Sequence, residues 1–313
     1  MPAPLLIADV PWLLYRSFFA LPKSITDSNG APVNALLGTV NTLLACEELL
    51  ASSGGVRAVV ACMGAEQAAY RVALYPPYHA HRDPMPAELA GQWEKAPALL
   101  ESLGYAYANT DELEADDLLH SYSALEVHSG GTALMLTADR DLYGAVTEGA
   151  AVLELLRGGA AINRVGPREV RERYGVEPRQ VPDFIALRGD PSDGLPGAPG
   201  IGAKTAAELL RAHDTLEQLL ADARSPGGAG RDLRPRARGS LLDNEQQLLA
   251  FKQIATLQDI EVEWPPDSPT DHASGAAAAA ALGMRRLAER LRDLARAGGA
   301  TEARGTTEGE GDG

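Results

Sequence analysis

Leu5-Leu6-Ile7-Ala8-Asp9 is the stretch from which the fold is read: four apolar residues in a row, closed by a carboxylate. A short apolar run of this kind predicts a buried strand. Downstream lies the aromatic-rich Trp12-Leu13-Leu14-Tyr15-Arg16-Ser17-Phe18-Phe19, then apolar residues at helical spacing from Leu36 to Leu50, then a second buried strand over Arg57 to Met63. The order is strand, helix, strand. Met85 to Leu103 reads as a helix that starts after Pro84 and stops at Gly104. Glu114 to Val127 sets Ala115, Leu118, Leu119, Tyr122 and Leu125 on one helical face, and Thr132 to Thr137 is a further strand. Strands alternating with helices predict an α/β fold whose mostly parallel central sheet is flanked by helices on both faces.

After a strand over Ala151 to Leu156 the pattern turns helical, with short candidates at Gly166–Tyr174, Pro178–Leu187, Lys204–His213 and Leu216–Leu220. Ser225 to Gly230 reads as a flexible break, and Ala276 to Ala281 leads into an amphipathic helix over Met284 to Ala297. The expected division is an α/β core over 1–165, a helical region over 166–260, a C-terminal appendage over 261–300 and a disordered acidic tail over 301–313. Arg71 to Asp83, rich in Tyr, His and Arg, is expected to be exposed.

The 313 residues carry a net charge of −15, which on its face argues against a nucleic-acid binder. Part of that charge sits in the tail, in Glu302, Glu308, Glu310 and Asp312. Part is explained if clustered acids hold cations, which reverse the local potential. No apolar run reaches the roughly 20 residues of a membrane span, and Met1 to Leu6 lacks a basic leader segment. Cys46 and Cys62 lie in apolar surroundings and read as reduced, buried thiols, so a cytoplasmic location is expected.

The acids fall where an α/β sheet collects ligands. Asp9 ends one strand, Glu114, Asp116 and Asp117 open a helix, Asp139 and Asp141 follow another strand, and Asp190 and Asp193 occupy a loop. Ligands bind outside the carboxyl ends of parallel strands, so these segments can converge there. Converging carboxylates repel one another and stay ionised only when cations compensate them. Oxygen donors suit Mg²⁺ or Mn²⁺, and two such ions about 4 Å apart can activate a water and neutralise a scissile phosphate. Taken singly, Glu114 or Asp116 is equally a helix cap, and Asp139-Arg140-Asp141 a solvated turn.

Gly197-Ala198-Pro199-Gly200-Ile201-Gly202-Ala203-Lys204 joins two helical stretches. Its glycines free the backbone, and a helix starting there presents N–H donors suited to a phosphate, with Lys204 adding charge. The lysine stands one place too late for an ATP-binding P-loop. A glycine-rich connector without a ligand is the alternative.

These residues together resemble the 5′-nuclease family, that is, the flap endonucleases and the 5′→3′ exonuclease domain of bacterial DNA polymerase I. The similarity runs from about Leu5 to Leu220. It is carried by Leu13-Leu14-Tyr15-Arg16-Ser17-Phe18-Phe19-Ala20-Leu21-Pro22, Leu74-Tyr75-Pro76-Pro77-Tyr78-His79-Ala80-His81-Arg82, Glu114-Ala115-Asp116-Asp117, Thr137-Ala138-Asp139-Arg140-Asp141-Leu142 and Gly189-Asp190-Pro191-Ser192-Asp193-Gly194-Leu195 running on into the glycine loop.

The resemblance implies a PIN-like sheet, an arch or clamp over about 66–112, and a helix-hairpin-helix region that grips duplex DNA. It implies that Asp9, Glu114, Asp116, Asp117, Asp139, Asp141, Asp190 and Asp193 are the metal-site acids, with Asp116, Asp117 and Asp139 at the chemistry. Arg71 is implied to contact the scissile phosphate, and Tyr75, Tyr78 and Arg82 to lie in the clamp. Gly197, Gly200, Ile201, Gly202 and Lys204 are implied to form the hairpin, which in the family often holds a K⁺ ion through main-chain carbonyls.

The implied activity is a structure-selective 5′→3′ exonuclease and flap endonuclease that uses two Mg²⁺ or Mn²⁺ ions. DNA with 5′ ends or flaps is the implied partner, with a polymerase or ligase as a protein partner and a monomer as the expected state. The chain stops far short of a polymerase, so a stand-alone nuclease is expected. A PIN-type ribonuclease would share the carboxylates but need not carry the hairpin, and a non-catalytic flap-binding protein would keep the hairpin alone.

Three features depart from the family pattern. The end of the second strand, Ala61-Cys62-Met63-Gly64-Ala65, lacks the usual Asp, and Glu66 is the nearest acid. Val10-Pro11-Trp12 follows Asp9 in place of a Gly-Asn turn, and His79 stands where a lysine is common.

Overall fold

The computed structural model describes residues 2–156, 161–225 and 233–305. The elements run β1 (Leu5–Asp9), α1 (Val10–Ala20), α2 (Asn34–Ala51), β2 (Ala58–Cys62), α3 (Ala69–Leu74), α4 (Ala87–Trp93), α5 (Ala96–Ser102), β3 (Ala106–Ala108), α6 (Ala115–His128), β4 (Ala133–Leu136), β5 (Ala150–Leu155) and β6 (Ile162–Val165). There follow α7 (Pro167–Tyr174), α8 (Val181–Arg188), α9 (Ala203–His213), α10 (Leu216–Arg224), α11 (Pro235–Asp243), α12 (Glu245–Ala255), α13 (His272–Ala281) and α14 (Arg285–Gly305).

The six strands form one sheet in the order β3-β2-β1-β4-β5-β6, parallel throughout except for β6, which runs antiparallel to β5. The chain moves from β1 outward to β2 and β3, then crosses to the other side of β1 to lay down β4. The sheet therefore reverses its winding between β1 and β4, and at such a point the loops leaving the strand ends separate and open a crevice. Asp9 is the last residue of β1, level with Cys62 of β2 and one step past the Ala8–Leu136 pair.

Alternation along β1 splits the core into two layers. Leu5 and Ile7 face a layer that includes Leu118 and Leu119 of α6 together with α8 and α12. Leu6 and Ala8 face α1, α2 and α5. The C-terminal segment is part of this second layer: Ala276, Ala279, Leu287 and Leu291 of α13 and α14 are buried in it. Residues 261–300 thus complete the core on the α2 and α5 side.

The structure departs from the expected elements in four places. Met85–Leu103 is two helices, because Pro97 in the first turn of α5 has no N–H to donate and restricts the residue before it. The short edge strands β3 and β6 have too few residues to show alternation. Within the stretch 71–83, Arg71, Tyr78 and His79 are buried and bond to neighbouring side chains, while most of the remaining residues are exposed or half-buried as expected. α11 and α12 had no counterpart among the expected helices. The expected break over Ser225–Gly230 and the expected tail over 301–313 fall largely outside the described residues, except that 301–305 form the end of α14 and are helical where disorder was expected. Both cysteines are free and buried. Among the described residues no helix is long and apolar enough to cross a membrane.

Candidate active site and DNA-facing surface

Asp9 both ends β1 and caps α1. Its Oδ1 accepts the Trp12 N–H at 3.0 Å, and Pro11 at the start of the helix needs no acceptor for its nitrogen. Its Oδ2 accepts the Thr137 hydroxyl at 2.7 Å, a bond that locks the ends of β1 and β4 together across the crevice. The same hydroxyl oxygen accepts the Asp139 N–H at 3.0 Å, and the Asp139 carboxylate accepts the Asp141 N–H at 2.9 Å. One chain of hydrogen bonds therefore fixes Asp9, Asp139 and Asp141 relative to one another.

Asp116, in the first turn of α6, lines the same crevice as Asp9, Asp139 and Asp190. A smaller pocket beside it is bordered by Asp116, Asp139, Asp141, Glu114 and Asp193. Burial raises the carboxyl pKa of Asp9 to about 6, against its hydrogen bonds from Trp12 and Thr137. Burial, reinforced by Asp193, raises that of Asp139 to about 7. Asp116 and Asp141 are pushed well above the usual carboxylate range by burial, with Asp139 the largest neighbouring charge in each case. None of these four takes part in a side-chain ion pair among the described residues. A divalent cation would supply compensation, and an all-oxygen donor set suits a hard cation. The donors line an open crevice, and among the described residues no three His, Cys, Asp or Glu side chains are gathered closely enough to hold a metal ion.

The other expected ligands are more heavily engaged. Glu114 accepts the Ala68 N–H at 2.8 Å and the Tyr78 hydroxyl at 3.1 Å, and pairs with Arg71 at 2.8 Å. Asp190 accepts the Ser192 N–H at 2.8 Å and pairs with Arg188 at 3.1 Å. Asp193 meets His79 Nε2 at 3.0 Å and Arg82 at 3.2 Å. Asp190 lines the crevice and Asp193 the smaller pocket, each with an arginine already beside it.

Two of the expected site residues are engaged inside the protein. Asp117, expected beside Asp116 at the metal, has no solvent exposure and turns away from the crevice. Its Oδ1 accepts Arg71 Nη2 at 2.9 Å and the Gln258 N–H at 2.7 Å, and its Oδ2 accepts the Glu114 N–H at 3.2 Å. Successive residues on a helix point about 100° apart, so one Asp of the pair can face the crevice while the next faces the core. Arg71, expected at the scissile phosphate, lines the smaller acidic pocket but is only 3% exposed; Glu114, Asp117 and the Ile254 carbonyl occupy its guanidinium. Although burial works against its charge, Glu114 and Asp117 hold it protonated.

The clamp tyrosines are packed. Tyr75 meets Phe251 edge to face at 5.0 Å, and Tyr78 stacks on His79 at 3.8 Å. Arg82 remains half-exposed at the crevice.

Gly64 brings the β2 end against α6 so closely that a β-carbon there would stand 2.4 Å from the Ala115 nitrogen. Several site features had only weak signals in the sequence. Trp12, Tyr15, Phe19 and Trp93 form an aromatic wall of the crevice, with Phe19 72% exposed. Their spacing on α1 was visible, but Trp93 joins them only through the tertiary fold. Arg140 lies exposed at the same crevice between two acids. Glu66, the nearest acid to the second strand, is exposed and accepts the Tyr15 hydroxyl at 2.7 Å.

The glycine loop joins α8 to α9 as a helix–turn–helix. Gly197 has φ +67°, and a β-carbon there would lie 2.3 Å from the Gly189 nitrogen, so only glycine lets the two limbs cross. Ile201 is buried beneath the turn, while Gly202 and Lys204 are exposed at the start of α9.

Residues 4–175 match the family described as 5′-3′ exonuclease, N-terminal resolvase-like domain, and residues 176–273 match the 5′-3′ exonuclease, C-terminal SAM fold. A 5′-3′ exonuclease of Streptomyces coelicolor is 34% identical over 292 residues, covering 88% of this chain and 93% of the relative. DNA polymerase I of Mycobacterium tuberculosis is 36% identical over 217 residues; the match takes in 69% of this chain and 24% of the polymerase, so the chain spans about a quarter of that protein's length. Among solved structures, bacteriophage T5 flap endonuclease in a complex with DNA and metal ions superposes with a TM-score of 0.63 at 18% identity, over 94% of this chain and 99% of the other. At that identity the likeness speaks for the fold, a mostly parallel sheet flanked by helices with a helical C-terminal half. With family matches running from residue 4 to residue 273 and a relative aligned over nearly its whole length, the chain belongs to the 5′-3′ exonuclease family.

Proposed function

We propose that the protein is a divalent-metal-dependent deoxyribonuclease acting 5′→3′ at DNA ends and flaps. The observation that carries this reading is the convergence of Asp9, Asp116, Asp139 and Asp141, from three separate chain segments, on the crevice and the pocket beside it where the sheet reverses its winding, with none of the four in a side-chain ion pair among the described residues. DNA and metal ions in the T5 complex, on the same fold, support it. Asp9, Asp116, Asp139 and Asp141 would hold the metal, with Glu114, Asp190 and Asp193 at its margin. Bound Mg²⁺ or Mn²⁺ supplies charge neutralisation at the phosphate and a lowered pKa for an attacking water.

The remaining work falls to the chain's own groups. Thr137 orients the Asp9 carboxylate and holds the main chain at Asp139. Arg71 and Asp117 are positioning residues that hold the first turn of α6 so that Asp116 faces the crevice. Arg82 and Arg140 bring positive charge to the rim, where a phosphate must enter past many acids. The wall of Trp12, Tyr15, Phe19 and Trp93 offers faces on which bases stack without regard to sequence. The hairpin amides and Lys204 hold duplex away from the cut, and its main-chain carbonyls are the place for a K⁺ ion.

The test is cleavage of a 5′-labelled flap substrate with and without Mg²⁺ or Mn²⁺, beside the Asp116→Ala variant. Metal-dependent cutting that disappears in the variant is the expected result. Binding without cutting under every metal condition would refute the catalytic reading.

A further inference from the structure

Helix α11 lies against the turn of the α8–α9 hairpin. The Ser240 hydroxyl donates to the Pro199 carbonyl at 2.8 Å, and Arg236 Nε stands 3.7 Å from where a β-carbon on Gly200 would be. Arg234 and Arg236 are both exposed, as is Lys204 at the start of α9.

The charges around this corner are distributed unevenly. The protein carries −15 overall and has only four lysines, so an unpaired cation has many acids available to it. Neighbouring cations are taken: Arg224 pairs with Glu245, Lys252 with Asp183 and Glu217, and Arg179 with Asp214. Lys204, Arg234 and Arg236 form no ion pair or side-chain hydrogen bond among the described residues. Three unpaired cations at one glycine turn make a strip of positive potential in an acidic protein, complementary to a polyanion with closely spaced charges.

We propose that Arg234 and Arg236 extend the hairpin into a two-sided cradle for the phosphate backbone of duplex DNA. Lys204 and the turn form one side and the N-terminal turn of α11 the other. Ser240 fixes the spacing between the two sides, and Pro235 stiffens the chain between the arginines. The ligand is the phosphodiester backbone, so the contact carries no base preference. This inference rests on the reading of the protein as an enzyme of duplex-containing DNA.

The test is fluorescence anisotropy of the full chain with a labelled flap-bearing duplex, in EDTA to prevent cleavage, over a series of salt concentrations. The Arg234→Ala/Arg236→Ala double variant should weaken binding roughly tenfold and lower the slope of log Kd against log salt by about 2. The Arg234→Lys/Arg236→Lys variant should keep the wild-type slope. The inference is overturned if the alanine variant keeps the wild-type affinity and slope while Lys204→Ala weakens binding, and the nuclease reading then stands without it. Absence of any salt-dependent duplex affinity in the wild type would instead overturn the DNA reading itself.

Discussion

Arg71 Nη2 and Asp117 Oδ1 lie 2.9 Å apart inside the protein, in a pair closed on its other sides by Glu114, the Ile254 carbonyl and the Gln258 N–H. It joins α3, the start of α6 and the end of α12 at one point beneath the crevice. Removing Asp117 leaves Arg71 with Glu114 as its remaining carboxylate and strips the Gln258 and Glu114 N–H groups of their acceptor, at a cost of about 1–3 kcal/mol. Asp117→Ala should therefore lower the melting temperature strongly, and any loss of cleavage should accompany that loss of fold. Asp116→Asn, one residue earlier, should abolish cleavage at an undiminished melting temperature. Calorimetry beside the flap assay separates the two, and equal melting behaviour would contradict the division of roles between these adjacent aspartates.

Burial raises the Asp117 carboxyl too, but Arg71 and two N–H groups work against it, whereas the crevice carboxylates have no ion pair to do so among the described residues. Asp139 faces Asp9, Asp193 and Asp190 with burial already against its charge. Asp139→Asn keeps an acceptor for the Asp141 N–H while removing one negative charge. In EDTA the variant should melt higher than wild type by a few degrees, the size expected of about 1 kcal/mol in a domain of this length. Adding Mg²⁺ should stabilise the wild type, since a ligand bound only by the folded state raises its melting temperature, and should stabilise the variant less. A variant that melts lower than wild type in EDTA would show that the cluster is not under repulsive load.

This division marks what the sequence could show. Asp9, Asp116, Asp139 and Asp141 were legible because strand ends in a parallel sheet gather at one edge, so position along the chain translates into position in space. The burial of Arg71 and Asp117 was not legible. It depends on the Ile254 carbonyl and the Gln258 N–H, some 140 to 180 residues downstream, in a helix end whose packing no local pattern announces. The packing of Tyr75 was not legible for the same reason, since its partner Phe251 belongs to α12. A Tyr- and Arg-rich stretch resembles surface until its distant acceptors are known.

Gly64 tests how closely the second strand must approach α6. Gly64→Ala would put a methyl group 2.4 Å from the Ala115 nitrogen and 2.6 Å from the Glu114 carbonyl carbon, both main-chain atoms. Overpacking of this kind costs typically 1–3 kcal/mol. Since the atoms displaced carry Asp116, cleavage should fall more than stability alone explains. The check is kcat measured well below the melting transition, and an unchanged kcat would show that α6 absorbs the shift.

Far from the crevice, Glu154 on β5 predicts a pH dependence. Burial works against its charge, but bonds from Arg173, Tyr143 and Asn163 outweigh that and bring its pKa down to about 2. A carboxyl whose pKa is lower folded than unfolded stabilises above its unfolded value, and that contribution is lost as pH falls through the folded one. Glu154→Gln should therefore cost about 1 kcal/mol at pH 7. The gap in urea midpoint between wild type and variant should narrow as the pH falls from about 5 toward 2. A gap that is constant over this range would assign the effect to packing.

Glu66 decides what became of the acid absent from the end of β2. Cys62 occupies the position paired with Asp9, and its thiol is fully buried, with burial, Asp9 and Asp116 all keeping it protonated. Glu66 lies four residues on, exposed, with its Oε1 committed to the Tyr15 hydroxyl. That contact makes it a partner of the aromatic wall. Glu66→Gln can still accept the hydroxyl, so it should leave both the Mg²⁺-induced rise in melting temperature and the cleavage rate near wild type. Glu66→Ala should free Tyr15 and weaken flap binding, again with the Mg²⁺ shift intact. Asp9→Asn should reduce the Mg²⁺ shift itself. If Glu66→Gln reduces the shift as Asp9→Asn does, the longer side chain has taken over the missing ligand's place and the Tyr15 contact gives way when the metal binds.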